Sequence, residues 1–217
     1  MKLSENTLNI LKNFSSINSS LLVKQGNTQK TLNIDETVLA EAVITENLPM
    51  TFGIYDLPQF LANVTTLDQP VLTFNDNALI MDDGNIKLNY FYCSPSLITA
   101  PPEKGLKMDN PDVQFNLAQT SYQKLIRIAS LNSLPTLTVT GKNGELSLNS
   151  HEKTNSNSNS ASVKLGEYTG KDFEASFKIE TLKMIPDDYT VSINLAGFAL
   201  FENKSSTLRY FIALEKK

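Results

Sequence analysis

The sequence holds one cysteine and one histidine in 217 residues. Cys93 alone cannot close an intramolecular disulfide, and His151 alone cannot supply a multi-histidine metal site. Disulfide scaffolds and Cys/His zinc sites are therefore excluded. Positive charge is also in short supply. Lys plus Arg is 19 against 23 for Asp plus Glu, giving net −4 and a pI near 5.1. That excludes a generally basic nucleic-acid binder. No apolar run approaches the ~18 residues of a membrane-spanning helix. The opening Met1-Lys2-Leu3-Ser4-Glu5-Asn6 lacks the apolar core of a signal peptide. The expectation is a soluble intracellular protein with no membrane partner.

Catalytic signatures are missing too. There is no G-x-x-x-x-G-K-[ST], no G-x-S-x-G and no H-E-x-x-H. Gly166 to Asp172 comes nearest to a phosphate loop, but its spacing is wrong and no hydroxyl follows Lys171. His151 lies in a polar tract, Asn149 to Ser162, that reads as a surface loop and makes it a solvated residue. Cys93 ends an aromatic strand and reads as a small half-buried side chain. Asp82-Asp83-Gly84-Asn85 reads as a hairpin turn rather than a metal loop. The sequence predicts no catalytic residue, no metal site and no cofactor.

What is present is a repeat. Leu8, Leu11, Phe14 and Ile17 recur at helical spacing over residues 4–17, with Ser4 as N-cap. Tyr122, Leu125, Ile128 and Leu131 recur likewise over residues 118–131. A shift of 114 superimposes the two stripes, and Ile17-Asn18-Ser19 then meets Leu131-Asn132-Ser133, which points to two copies of one unit. Alternating strands follow each helix, at Val38–Ile44 in one half and at Leu137/Val139, Leu146/Leu148 and Val163/Leu165 in the other. A further strand and a short second helix come next, at 56–66 and at 180–185, with Asp56 and Glu180 suited to helix N-termini. Three strands close each half. The halves are joined by Ser94 to Gly105, with three prolines and a glycine, which reads as an extended connector. The charge divides with them: residues 1–105 carry 6 basic and 11 acidic groups, residues 106–217 carry 13 and 12. The expected boundaries are a first domain at 1–93, a linker at 94–111 and a second domain at 112–217.

The exposed faces of the two long helices are sparse in charge. Lys124 and Arg127, three apart, share one side of the second with Thr120, Gln123 and Ser130. The first exposes Lys12 among Asn6, Asn9 and Asn13. Such a surface suits loose contact with phosphates and carries nothing that reads bases.

These residues resemble those of the DNA polymerase sliding clamps of T4-type bacteriophages. The likeness runs in order through Met1-Lys2-Leu3-Ser4, Leu11-Lys12-Asn13-Phe14 and Ile54-Tyr55-Asp56-Leu57. It continues at Asp83-Gly84-Asn85-Ile86-Lys87, Leu165-Gly166-Glu167-Tyr168 and Ala213-Leu214-Glu215. The resemblance implies an α+β chain of two duplicated domains of the DNA-clamp fold. Three copies would form a ring around double-stranded DNA, helices lining the hole and sheets outside. It implies a non-enzymatic processivity factor, loaded by an ATP-driven clamp loader, tethering the phage DNA polymerase in the cytoplasm of the infected bacterial host. Lys2, Lys12, Lys124, Arg127 and Lys183 would face DNA. Tyr90, Phe91 and Tyr92 would meet Val163 and Leu165 of a neighbouring subunit. Leu97, Ile98, Leu106, Met108, Tyr210 and Ile212 would line a groove for a client peptide. The alternative from the residues alone is a β-rich structural or assembly protein of a virion.

Overall fold

A computed structural model describes residues 1–155 and 157–216. The chain divides into two compact units, Met1–Gly105 and Leu106–Lys217, so the break falls inside the expected linker.

The first unit runs α1 (Glu5–Ile17), β1 (Leu21–Val23), β2 (Gly26–Leu32), β3 (Val38–Leu48), β4 (Phe52–Ile54), α2 (Leu57–Thr66), β5 (Val71–Phe74), β6 (Ala78–Asp82) and β7 (Lys87–Phe91). The second runs β8 (Val113–Leu117), α3 (Gln119–Leu131), β9 (Thr136–Lys142), β10 (Glu145–His151), β11 (Ala161–Glu167), β12 (Phe173–Lys178), β13 (Tyr189–Asn194), β14 (Phe198–Asn203) and β15 (Leu208–Ala213). Most of one antiparallel pairing scheme is used twice, although the β9–β10 ladder of the second unit has no β1–β2 counterpart among the described residues of the first. β1 pairs with β4 as β9 pairs with β12, and β2 with β3 as β10 with β11. The meander β5-β6-β7 matches β13-β14-β15. Even the first partner repeats in miniature. β8 pairs with β13, while Met1 exchanges two backbone bonds with Leu72 of β5, at 2.7 and 2.6 Å.

α1 starts for a local reason, and both long helices dock by burial. Ser4 caps α1, its hydroxyl accepting from Thr7 N at 3.2 Å. Thr7, Ile10, Leu11 and Phe14 are the buried stripe. In α3 the buried set is Tyr122, Leu125 and Ala129, whereas Ile128 and Leu131 are 43% and 78% exposed. This corrects the expected stripe. Nine residues turn an α-helix through about 900°, so Leu131 points opposite Tyr122. Thr7 with Tyr122, Ile10 with Leu125 and Phe14 with Ala129 are the positions that share a burial role, each pair 115 apart.

Two further expectations are corrected. Among the described residues the expected helix at 180–185 is replaced by a 3-10 turn at Ile179–Thr181 without a side-chain cap. The tract from Asn149 to Ser162 is not all loop, because β10 extends to His151 and β11 begins at Ala161; Ser156 lies outside the described residues. His151 is accordingly half-buried on a strand, its Nε2 2.9 Å from Thr138 Oγ1, which in turn lies 2.9 Å from Ser176 Oγ. The Asp82–Asn85 segment is a hairpin turn. Gly84 adopts φ +94°, Asp82 accepts from Gly84 N, and Asp83 accepts from Asn85 N and Ile86 N. Cys93 is half-buried and pairs with Gly53 in an isolated bridge; burial pushes its thiol pKa up.

Candidate nucleic-acid interface and subunit edges

The exposed face of α3 carries Lys124 and Arg127 in solvent, with Gln123, Thr120 and Ser130 beside them. What starts this helix is not its own sequence. Ala118 offers no side-chain cap, and Gln119 N instead donates to Asp188 Oδ1 at 2.9 Å. That N–H, followed by the Lys204 ammonium, holds the Asp188 carboxyl below its ordinary range. Lys183, beyond the 3-10 turn, is also exposed.

In the first unit Lys12 is exposed on α1, in a groove between α1 and α2 that Asn9, Ser15 and Thr65 also line. α2 carries no charged residue, and its start is capped by Asp56, which accepts from Gln59 N at 2.8 Å. Lys2 is exposed, with Nζ 3.4 Å from Gln69 Oε1. Glu46 anchors the entry to α1, accepting from Ser4 N at 2.5 Å and from the Thr7 hydroxyl. Burial alone would raise the Glu46 pKa; these bonds outweigh it and hold the carboxyl below its ordinary range.

β7 and β11 each stand at the end of a sheet, with one paired neighbour among the described residues. Phe91 is 73% exposed on the outer face of β7. Tyr90 and Tyr92 turn the other way and are half-buried, with ring centroids 5.3 Å from Phe60 and 4.6 Å from Phe52. Val163 and Leu165 are half-buried on β11.

The predicted peptide groove changes. Tyr210 and Ile212 are fully enclosed in the core of the second unit, where the Tyr210 hydroxyl accepts from Ile185 N at 3.1 Å. β15 is covered on both faces at these positions, so alternation did not mark an outward side. Ile98 is buried, while Leu97 and Leu106 are exposed and Met108 is half-exposed. Sequence reasoning missed a groove at the end of β15, where Leu195, Gly197 and Leu214 meet a charged rim of Lys153, Glu174 and Glu215. Its only sequence signal is a run of small and apolar residues at a turn and at a strand end.

Residues 2–88 match the family described as DNA polymerase processivity factor, and residues 114–216 match gp45 sliding clamp, C terminal. The sliding clamp of Vibrio phage KVP40 is 30% identical over 222 residues, covering 99% of each chain. That of Escherichia phage RB69 is also 30% identical, covering 99% of this chain and 97% of its own. Among solved structures, Proliferating Cellular Nuclear Antigen from Entamoeba histolytica superimposes with a TM-score of 0.72 at 15% identity, over 97% of this chain and 95% of that one. A. fulgidus PCNA, solved with the C-terminal region of FEN-1, gives 0.71 at 12% over the same shares. Two units that share most of one pairing scheme, each with a long helix against its strands, thus define the class: the DNA-clamp fold. The chain belongs to the sliding clamps of T4-type phages, which are DNA polymerase processivity factors and not enzymes.

Proposed function

We propose that three copies of this chain close head to tail into a ring around duplex DNA and hold the phage polymerase on it during replication in the cytoplasm of the infected host. The observation that carries the reading is that β7 in one unit and β11 in the other both stand at sheet ends, with Phe91 exposed on β7. An open edge with exposed aromatic residues is an aggregation hazard unless a partner covers it. Two unlike edges on one chain are what a heterologous, ring-closing contact requires. Phe91 and the backbone of β7 would meet Val163, Leu165 and the backbone of β11 in the next copy. Tyr90 and Tyr92 contribute from within the first unit by fixing β7 on its aromatic bed.

Lys2, Lys12, Lys124, Arg127 and Lys183 would face the duplex. A few cations among amides and hydroxyls touch phosphates without reading bases, and such contacts exchange readily enough to permit sliding. Opening of the ring falls to an ATP-driven loader, and the polymerase docks through an apolar peptide in the groove of Leu195 and Leu214. Leu97, Leu106 and Met108 are further apolar contacts for clients.

Native mass measurement combined with retention on DNA tests the ring. The expected species is three times the 24.1 kDa chain, kept on nicked circular duplex after loading and lost when the circle is linearised. A monomer that leaves circles and linear duplex equally fast would defeat the reading.

A further inference from the structure

The segment after β15 lies along the outer edge of β12. Glu215 N donates to Ser176 O at 2.8 Å, and the Glu215 carboxylate forms an ion pair with Lys153. β12 pairs with β9 on its other side. Alternate residues of an antiparallel strand turn both backbone groups the same way, so Glu174 and Lys178 face outward with Ser176. Glu215 N takes one of these outward groups. The ion pair also divides two grooves that both border it. One is the Leu195 and Leu214 groove, and the other is lined by Leu134, Pro135 and Ile179. Lys178 has Glu180 at 3.7 Å, so Lys153 is the cation whose partner must leave if the two grooves are to join.

Glu215 is the molecule's own example of what this strip accepts: an extended backbone N–H for Ser176 and a carboxylate for Lys153. We propose that the outer edge of β12 docks an extended acidic segment of the polymerase, which displaces Glu215, adds to β12 as a strand and takes over Lys153. An apolar side chain of the same segment fills the groove of Leu195 and Leu214, so the inference rests on the peptide-groove reading above. Main-chain bonding supplies affinity, and the carboxylate with its apolar neighbour supplies selectivity. The Lys153–Glu215 pair is a latch: it competes with the client and sets a weak threshold for its entry. With side chains 42% and 20% exposed, the latch is an ordinary surface pair of small strength.

The test is a fluorescence anisotropy titration of a labelled peptide bearing the polymerase C-terminal residues against the full-length clamp. Glu215→Gln removes the competitor and should tighten binding roughly threefold, the scale of a surface ion pair. Lys153→Glu should weaken it. Hydrogen exchange on the unaltered clamp should show slower amides at 174–178 when the peptide is bound. Equal or weaker binding by Glu215→Gln, or no added protection at 174–178, overturns the strip. Leu214→Asp separates the two levels. If it abolishes binding while Glu215→Gln changes nothing, the groove stands and the strip is wrong. If it binds as the unaltered clamp does, the groove reading has failed and the strip fails with it.

Discussion

Leu57–Thr66 and Ile179–Thr181 hold the same station in the two units, directly after the strand that pairs with β1 or β9. One is a ten-residue helix and the other a single 3-10 turn. The difference is chemical and local. Asp56 caps Gln59 N, Pro58 stands in the first turn, and Leu57, Phe60, Leu61 and Val64 give a buried face. In the second unit the turn has no side-chain cap, Glu180 pairs loosely with Lys178, and Pro186 disfavours helix at Ile185 and so bars any longer helix. The long helices differ in the opposite sense. α1 is capped from its own sequence by Ser4, whereas α3 borrows Asp188 from a loop 69 residues away. Charge follows the same division. The first unit offers helical faces sparse in charge, with Glu5 and Lys12 on α1 and none on α2, while the second has less helix and more cations, in Lys124, Arg127 and Lys183. One pairing scheme thus tolerates different helical surfaces, provided the buried positions are filled.

The sharpest way to break this comparison is at Phe14 and Ala129, which hold the same buried position with very different volumes. Phe14→Ala should cost about 3–5 kcal/mol in denaturant unfolding. Ala129→Phe should cost about 1–3 kcal/mol by overpacking. Near-neutral effects at both would show that the 115-residue correspondence is not a packing equivalence.

Charge is the next lever. Lys124→Gln with Arg127→Gln should lower the slope of log affinity against log salt by about 2. Lys12→Gln should lower it by about 1. Binding of DNA by unloaded clamp across a salt series measures this, and equal slopes for all variants would remove these residues from the interface.

Capping comes third. Asp56→Ala should cost about 1 kcal/mol, a lost N-cap. Glu180→Ala, at the equivalent station, should stay within about 0.5 kcal/mol.

Acid stability should show the smallest effect. Glu46 and Asp188 are both held below their ordinary ranges, so the folded chain binds their protons less readily than the unfolded chain. Their stabilisation is complete above the ordinary carboxylate range and is lost as pH falls through the lowered folded values. Unfolding midpoints followed from neutral to acid pH should decline less steeply for Glu46→Gln and Asp188→Asn than for the unaltered chain.

Much of the fold could be read in advance because its signals are short-range. Ser4, Asp56, the alternation of β7 and the Asp82–Asn85 turn act within a few residues of themselves. The duplication was legible because two copies of one helix and strand order leave the same pattern twice. Errors arose where the pattern was ambiguous at short range. A spacing of three suggested a helical stripe through Leu131, although such a stripe drifts around the helix. Alternation located β15 but did not show that Tyr210 and Ile212 face the core, because a covered strand and a half-exposed one can share that pattern. Lys12, Lys124 and Arg127 could be proposed as DNA-facing from helix faces, whereas the groove beside Leu195 and Leu214 could not, since Lys153, Ser176, Leu195 and Leu214 come to it from distant parts of the chain.

The sequence by itself determined the class of molecule excluded, the duplication, the capped starts of α1 and α2, and the positive bias of α3 within an acidic chain. Each follows from composition, or from bonds a residue makes with near neighbours. Only the tertiary structure decided which strands stand at sheet ends, how α3 gets its cap from Asp188, and that Lys153 meets Glu215 across β12. Those depend on chain segments brought together after long loops close, and no local propensity encodes which distant backbone or carboxylate will arrive.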